Sequence, residues 1–272
     1  MQSKADLKLQ YKDELAAITP FAQLNMGLKT EQSYLKIEKY NIICAPYRIS
    51  LSGATLLGAF SKEEQSFFQR FTNSLSGLSL AFQAANNPNP IKIFARCFIK
   101  AINPMKEREN FGLIEVVFKP CPPDLEAILI DYFMLLDKLK VEYNDFSAKA
   151  IPINSQSSSI MGFNNYALMA YAGDQSKVAI FSIASDSIEF LVPMNGPILD
   201  QGKTLTVKLF FKSSQFSVTC TITELARLQH GIQKVKAMLQ FSPELVSIIE
   251  KYRINELLHR QKNIELKVSG QA

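Results

Sequence analysis

At 272 residues, with 47% apolar and 20% charged side chains, the chain has the make-up of a protein that buries one large or two ordinary cores, which excludes an intrinsically disordered chain. The net charge of +5 is spread evenly, with 18 Lys and Arg against 16 Asp and Glu in residues 1–150 and 12 against 9 in residues 151–272. No basic block marks a nucleic-acid binder, and none is expected.

Residues 1–19 are charged and weakly periodic, the pattern of a tail or short helix, and Pro20 stops what precedes it. Residues 20–143 read as a first domain. In SYLKIEKYNII, Tyr34, Lys36, Glu38 and Tyr40 alternate with Leu35, Ile37 and Lys39, the two-residue period of one or two opening strands. YRISLSGATLLGAF reads as the next strand. The run SKEEQSFFQRF has Ser61 as N-cap, acids in its first turn and aromatics on one face, which predicts a short helix over 61–71. SLSGLSLAFQ, IKIFARCFIKAI and NFGLIEVVF follow as strands, with a loop at Asn86-Asn87-Pro88-Asn89-Pro90. Residues 124–141 place Leu125, Ile128, Tyr132, Leu135 and Leu139 at helical intervals, a stripe expected to pack across its own barrel.

Residues 144–159, with Asn144-Asp145, Pro152 and SQSSS, read as a linker. The second domain, 160–262, is the more legible. KVAIFSIASDSIEFLVP reads as one strand, followed by a turn at Pro193-Met194-Asn195-Gly196-Pro197. In KTLTVKLFF, Leu205, Val207 and Leu209 alternate with Thr206 and Lys208; FSVTCTITEL and IQKVKAMLQF supply two more strands. Ser242, Pro243 and Glu244 form a helix start. Residues 263–272 are a charged tail.

The two domains repeat one order of elements. Pro123-Asp124-Leu125 with Ile128 and Tyr132 lies 120 residues before Pro243-Glu244-Leu245 with Ile248 and Tyr252. The unit is too long for a solenoid repeat, so the chain reads as a duplicated domain. The predicted fold is mainly β: two antiparallel β-barrels in tandem, each followed by a C-terminal α-helix.

Chemistry is sparse. Cys44, Cys97, Cys121 and Cys220 form no C-x-x-C pair and read as reduced, structural residues. His230 and His259 have no third ligand at metal-site spacing, and neither G-x-x-x-x-G-K-[ST] nor G-x-G-x-x-G occurs. No catalytic set, metal or cofactor is expected. The N-terminal text has no apolar core like that of a secretory leader, and AILIDYFMLLDKL is broken by Asp131 and Asp137, so a cytoplasmic chain without membrane insertion is expected.

The strand order, the glycine before each second strand and the closing I-x-x-Y helix resemble the PilZ family of bacterial cyclic di-GMP receptors, over both halves of the chain. The resemblance implies six-stranded barrels and a signalling or motility role through a protein partner, with the motility or envelope machinery as its expected source. It also implies a ligand read by R-x-x-x-R before the first strand and by [DN]-x-S-x-x-G. The chain departs from both motifs. In the first half Ser50 and Gly53 match, Arg48 stands where the acid belongs, and the approach to it from residue 20 has no arginine, only Lys29, Lys36 and Lys39. In the second half Ser182, Ala184 and Ser187 occupy the three positions, and 151–177 contains no arginine. Lysine is a point charge and does not reproduce the guanidinium fork. The expectation is therefore a non-enzymatic adaptor for which cyclic di-GMP is a doubtful ligand. The alternative is a nucleotide receptor of atypical mode, at the first barrel or between the domains, using Lys36, Lys39, Arg48, Ser50 and Gly53.

Overall fold

The computed structural model describes residues 3–83, 89–105, 108, 110–145, 150–193 and 196–268. The loop expected at Asn86-Asn87-Pro88, the turn residues Met194 and Asn195, positions 146–149 and 269–272, and the side chains of His230 and His259 lie outside this description. The chain divides into two compact units, residues 1–136 and 137–272.

The first unit opens with helix α1 (Lys4–Gln10), started by a reciprocal cap between Ser3 and Asp6, and the two-residue strand β1 (Ala16–Ala17). Helix α2 (Pro20–Met26) follows. Pro20 thus opens a helix, with Thr19 as N-cap, because the first helical position has no backbone N–H to lose. Gly27 ends α2 at φ 70°, and a Cβ there would lie 2.3 Å from the Gln83 carbonyl oxygen, so only glycine fits. Strands β2 (Leu28–Ile37), β3 (Tyr40–Ile49) and β4 (Gly53–Ala59) precede helix α3 (Lys62–Gln69), the helix predicted from SKEEQSFFQRF. Then come β5 (Leu75–Phe82), β6 (Ile91–Pro104), β7 (Phe111–Phe118) and α4 (Pro123–Tyr143). The strand order is β1-β3-β2-β5-β6-β7-β4, and β3 also pairs with β4, which closes six antiparallel strands into a barrel.

The second unit repeats this plan. It contains β8 (Ile151–Pro152), α5 (Ser155–Met161), β9 (Phe163–Tyr171), β10 (Asp174–Ile183), β11 (Ser187–Pro193), β12 (Thr204–Phe211), β13 (Gln215–Leu228), β14 (Ile232–Leu239) and α6 (Pro243–Val268). Its order is β8-β10-β9-β12-β13-β14-β11, closed by β10 on β11. Even the irregularities recur. The β3–β4 register slips between Pro46 and Arg48, and β10–β11 slips between Ile180 and Ser182; β6–β7 slips between Ile99 and Ala101, and β13–β14 between Ile222 and Glu224. Bulges re-aim strands and mark the same corners in both barrels.

Two parts of the sequence reading need correction. YRISLSGATLLGAF and KVAIFSIASDSIEFLVP are each two strands joined by a tight turn. The second turn contains neither Gly nor Pro; its residues Ala184 and Ser185 are buried, so the apolar text runs through it unbroken. Residues 144–159 also contain β8, paired with β10, and the start of α5.

Alternate strand residues point inward, as the two-residue period requires. The first core contains Leu35, Ile37, Leu56, Leu78, Leu80 and Ile114, all fully buried, and α4 closes it with Leu125, Leu129 and Phe133; of the predicted stripe Leu125, Ile128 and Tyr132 pack on this barrel, and Leu135 and Leu139 are not part of its core. Tyr11 and Ala16 from the N-terminal segment join the same core, and Lys8 reaches Glu126 at 2.6 Å. The second core is built from Phe190, Val207, Leu209, Ile222 and Val235 with Leu245 and Ile249 of α6. Among the described residues of the second unit helix α3 has no counterpart. Its Phe67 and Phe68 meet Tyr40 edge-on at 5.4 and 5.9 Å, and Phe60 lies 5.8 Å from Phe68.

Candidate ligand site at the barrel turns

The motif positions lie at the turn from β3 to β4 and at its counterpart from β10 to β11. The Ser50 amide donates to the Gly53 carbonyl at 2.9 Å, and the Ala184 amide to that of Ser187 at 2.8 Å. The Ser52 carbonyl accepts from Phe118 (2.8 Å) and that of Asp186 from Leu239 (2.7 Å). Ala17 pairs with Arg48 and Pro152 with Ser182. Arg48, Ser50 and Gly53 are therefore the structural equivalents of Ser182, Ala184 and Ser187.

In the first unit the turn is satisfied from within. The Ser50 hydroxyl is buried; it accepts from the Ser52 and Gly53 amides at 3.2 Å each and lies 3.2 Å from the Gly53 carbonyl oxygen, to which it donates. Gly53 is set by packing. A Cβ there would lie 2.2 Å from the Val116 carbonyl oxygen, because β4 and β7 approach closely at this point. Arg48 is exposed, 5.4 Å from the Tyr47 ring. A cleft of about 200 Å³ beside the turn is lined by Ser52, Thr55 and the Lys100–Glu115 ion pair (3.4 Å).

The structure does not bring all five candidates together. Arg48, Ser50 and Gly53 sit at one end of β3, while Lys36 and Lys39 flank the β2–β3 hairpin at the other. Eight strand residues at about 3.3 Å each put the two groups about 25 Å apart. Lys36 and Lys39 are exposed, and Lys39 lies 5.4 Å from the Tyr40 ring.

The second turn carries a cluster that the sequence reading missed. Ser182 donates to Glu189 at 2.8 Å, and Lys234 pairs with the same carboxylate at 3.0 Å. Burial works to raise the Glu189 carboxyl, but hydrogen bonds from Lys234 and Ser182 and the charges of Lys234 and Lys236 outweigh it and hold the group below the usual carboxylate range. The three residues lie on three strands, and only knowledge of the register would have joined them. Burial pushes all four thiols up, Cys44 and Cys220 to about 12 and Cys97 and Cys121 to about 11.

Residues 5–133 match the family model of the PilZN3 domain, so β1 and all of α1 but Lys4 fall within the matched region. The match spans the first barrel, and the second barrel repeats its strand order. Three solved structures are similar to the chain over most of its length. The PlzA protein of Borreliella burgdorferi in complex with c-di-GMP is 13% identical with a TM-score of 0.48, covering 92% of this chain and 97% of its own. MrkH of K. pneumonia in its apo state is 10% identical with a TM-score of 0.32, covering 97% and 96%. YcgR of Escherichia coli in complex with c-di-GMP is 8% identical with a TM-score of 0.30, covering 92% of each. No curated protein matches the chain. Among the described residues no helix is long and apolar enough to cross a membrane.

Proposed function

We propose that this PilZ-like chain is a non-enzymatic adaptor in bacterial signalling or motility control, whose barrels engage protein partners and whose turns do not grip cyclic di-GMP. The observation that carries the reading is the closure of both turns upon themselves. The Ser50 hydroxyl and the Gly53 backbone are engaged inside the first turn, and Arg48 offers one fork without a second beside it. At the second turn a phosphate would meet the Glu189 carboxylate, and the Ala184 position has no hydroxyl. The raised thiols support a non-catalytic chain, since a thiol near 11 or 12 is almost wholly protonated at neutral pH.

Isothermal titration of the full chain with cyclic di-GMP tests this. The reading predicts no binding tighter than about 100 µM. Submicromolar binding that Arg48→Ala abolishes would overturn it in favour of an atypical nucleotide receptor.

A further inference from the structure

The outer face of the first barrel carries a trough along β5. On β5, Leu78 and Leu80 point into the core, so Gly77, Ser79 and Ala81 form the outer row. Register places Lys29 and Lys92 on either side of Ala81, Tyr34 and Phe94 on either side of Ser79, and Lys36 and Arg96 on either side of Gly77. The β6 wall thus alternates cation, ring and cation over a floor of small residues, and the β2 wall carries the same three types with a bulge, residues 30–33, between Lys29 and Tyr34. Tyr34 and Phe94 meet edge-on at 6.1 Å, and Phe94 is 55% exposed.

Two observations mark this trough as a binding surface. None of the four cations is in an ion pair among the described residues, and Glu31 is the single acid in the sequence of the three strands. Gly77 is not demanded by packing: a Cβ there meets only the Phe94 ring at 3.6 Å, an ordinary contact, so the missing side chain leaves a notch between Lys36 and Arg96.

The second barrel is an internal control. Where the floor of the first has Gly77, Ser79 and Ala81, β12 has Thr206, Lys208 and Phe210. Where the walls have Lys36, Phe94 and Arg96, it has Ala170, Ser217 and Thr219. A barrel of this topology therefore folds without the trough.

We propose that the β2–β5–β6 trough binds single-stranded nucleic acid, with the cations on phosphates and the exposed ring of Phe94 under a base. Unpaired bases reach aromatic rings, whereas a duplex keeps them stacked within itself, and an acidic peptide has no flat ring at every repeat to use a wall of this pattern. The four cations come from two strands, two on β2 and two on β6, which is why the linear sequence shows no basic block.

Fluorescence anisotropy of a labelled 12-nucleotide oligo(dT) with the full chain tests the proposal, beside a duplex of equal length and a poly-glutamate peptide. The single strand should bind best, with a log–log salt slope of about −3 for four neutralised phosphates. Gly77→Asp, which puts a carboxylate between Lys36 and Arg96, should weaken binding tenfold or more, and Phe94→Ala about fivefold. Thr206→Asp, the matching change in the second barrel, should leave affinity unchanged. If Gly77→Asp lowers the melting temperature, the double variant Lys36→Ala/Arg96→Ala replaces it with the same expectation. The proposal is overturned if the wild-type chain does not bind at 50 mM salt, if the duplex binds as tightly, or if Thr206→Asp is as damaging as Gly77→Asp. Equal binding of poly-glutamate, indifferent to Phe94→Ala, also overturns it and makes the trough a dock for acidic proteins.

Discussion

The two barrels share strand order, bulges and closing helix, yet the residues at matching turns have gone different ways. The first turn is held by a buried serine and a glycine under a carbonyl, the second by backbone alone beside an ion-paired glutamate. The fold evidently needs the Ser50-type hydroxyl no more than it needs the Gly53-type glycine, since Ala184 and Ser187 stand in their places. What remains constant is the backbone pattern; what varies is which side chains the surrounding packing has come to require.

Substitutions at paired positions sharpen this contrast, and Gly53→Ala should have the largest effect. With the Val116 oxygen 2.2 Å from the new Cβ, β4 and β7 must part, at a cost of about 3 kcal/mol, whereas Ser187→Ala should stay within about 0.5 kcal/mol. Urea unfolding of each variant measures both, and equal costs would contradict the close approach. Ser50→Ala comes next. It leaves two amides of the turn without their acceptor and should cost about 1–2 kcal/mol, while the converse change Ala184→Ser should be nearly neutral.

The smallest effect is pH-dependent and confined to the second unit. Glu189 titrates below its ordinary value in the folded chain, so its contribution to stability is present above pH 4.5 and is lost as pH falls through the folded value. Glu189→Gln should therefore flatten the acid limb of the stability profile of the second unit and leave that of the first, where Arg48 and Thr55 occupy the paired positions. An unchanged acid limb would show that the Ser182–Glu189–Lys234 cluster does not hold in solution.

Much of this architecture was legible in the sequence because barrels write it in alternation and caps. Leu205, Val207 and Leu209 announced β12, and Ser61 with Glu64 announced α3. The constant offset between Pro123 and Pro243 announced the duplication. The turn at Ala184 to Asp186 was hidden because small buried residues extend the strand pattern through it. Tyr11 and Ala16 were hidden because the apolar residues of segment 1–19 follow neither a helical nor an alternating period, although the core uses both. The motif positions could be found by alignment of text, but their chemistry could not. That Ser50 serves its own turn, and that Lys36 stands about 25 Å from Arg48, depends on hydrogen bonds and register that no local pattern encodes.

The most direct test follows the backbone amides of Ser50, Ser52 and Gly53, and of Ala184, Asp186 and Ser187, by NMR as cyclic di-GMP is added to the full chain. Turns closed upon themselves predict no saturable shift at either set up to about 1 mM ligand, a level at which any useful receptor would be filled. Saturating shifts at either turn at micromolar ligand would contradict the account.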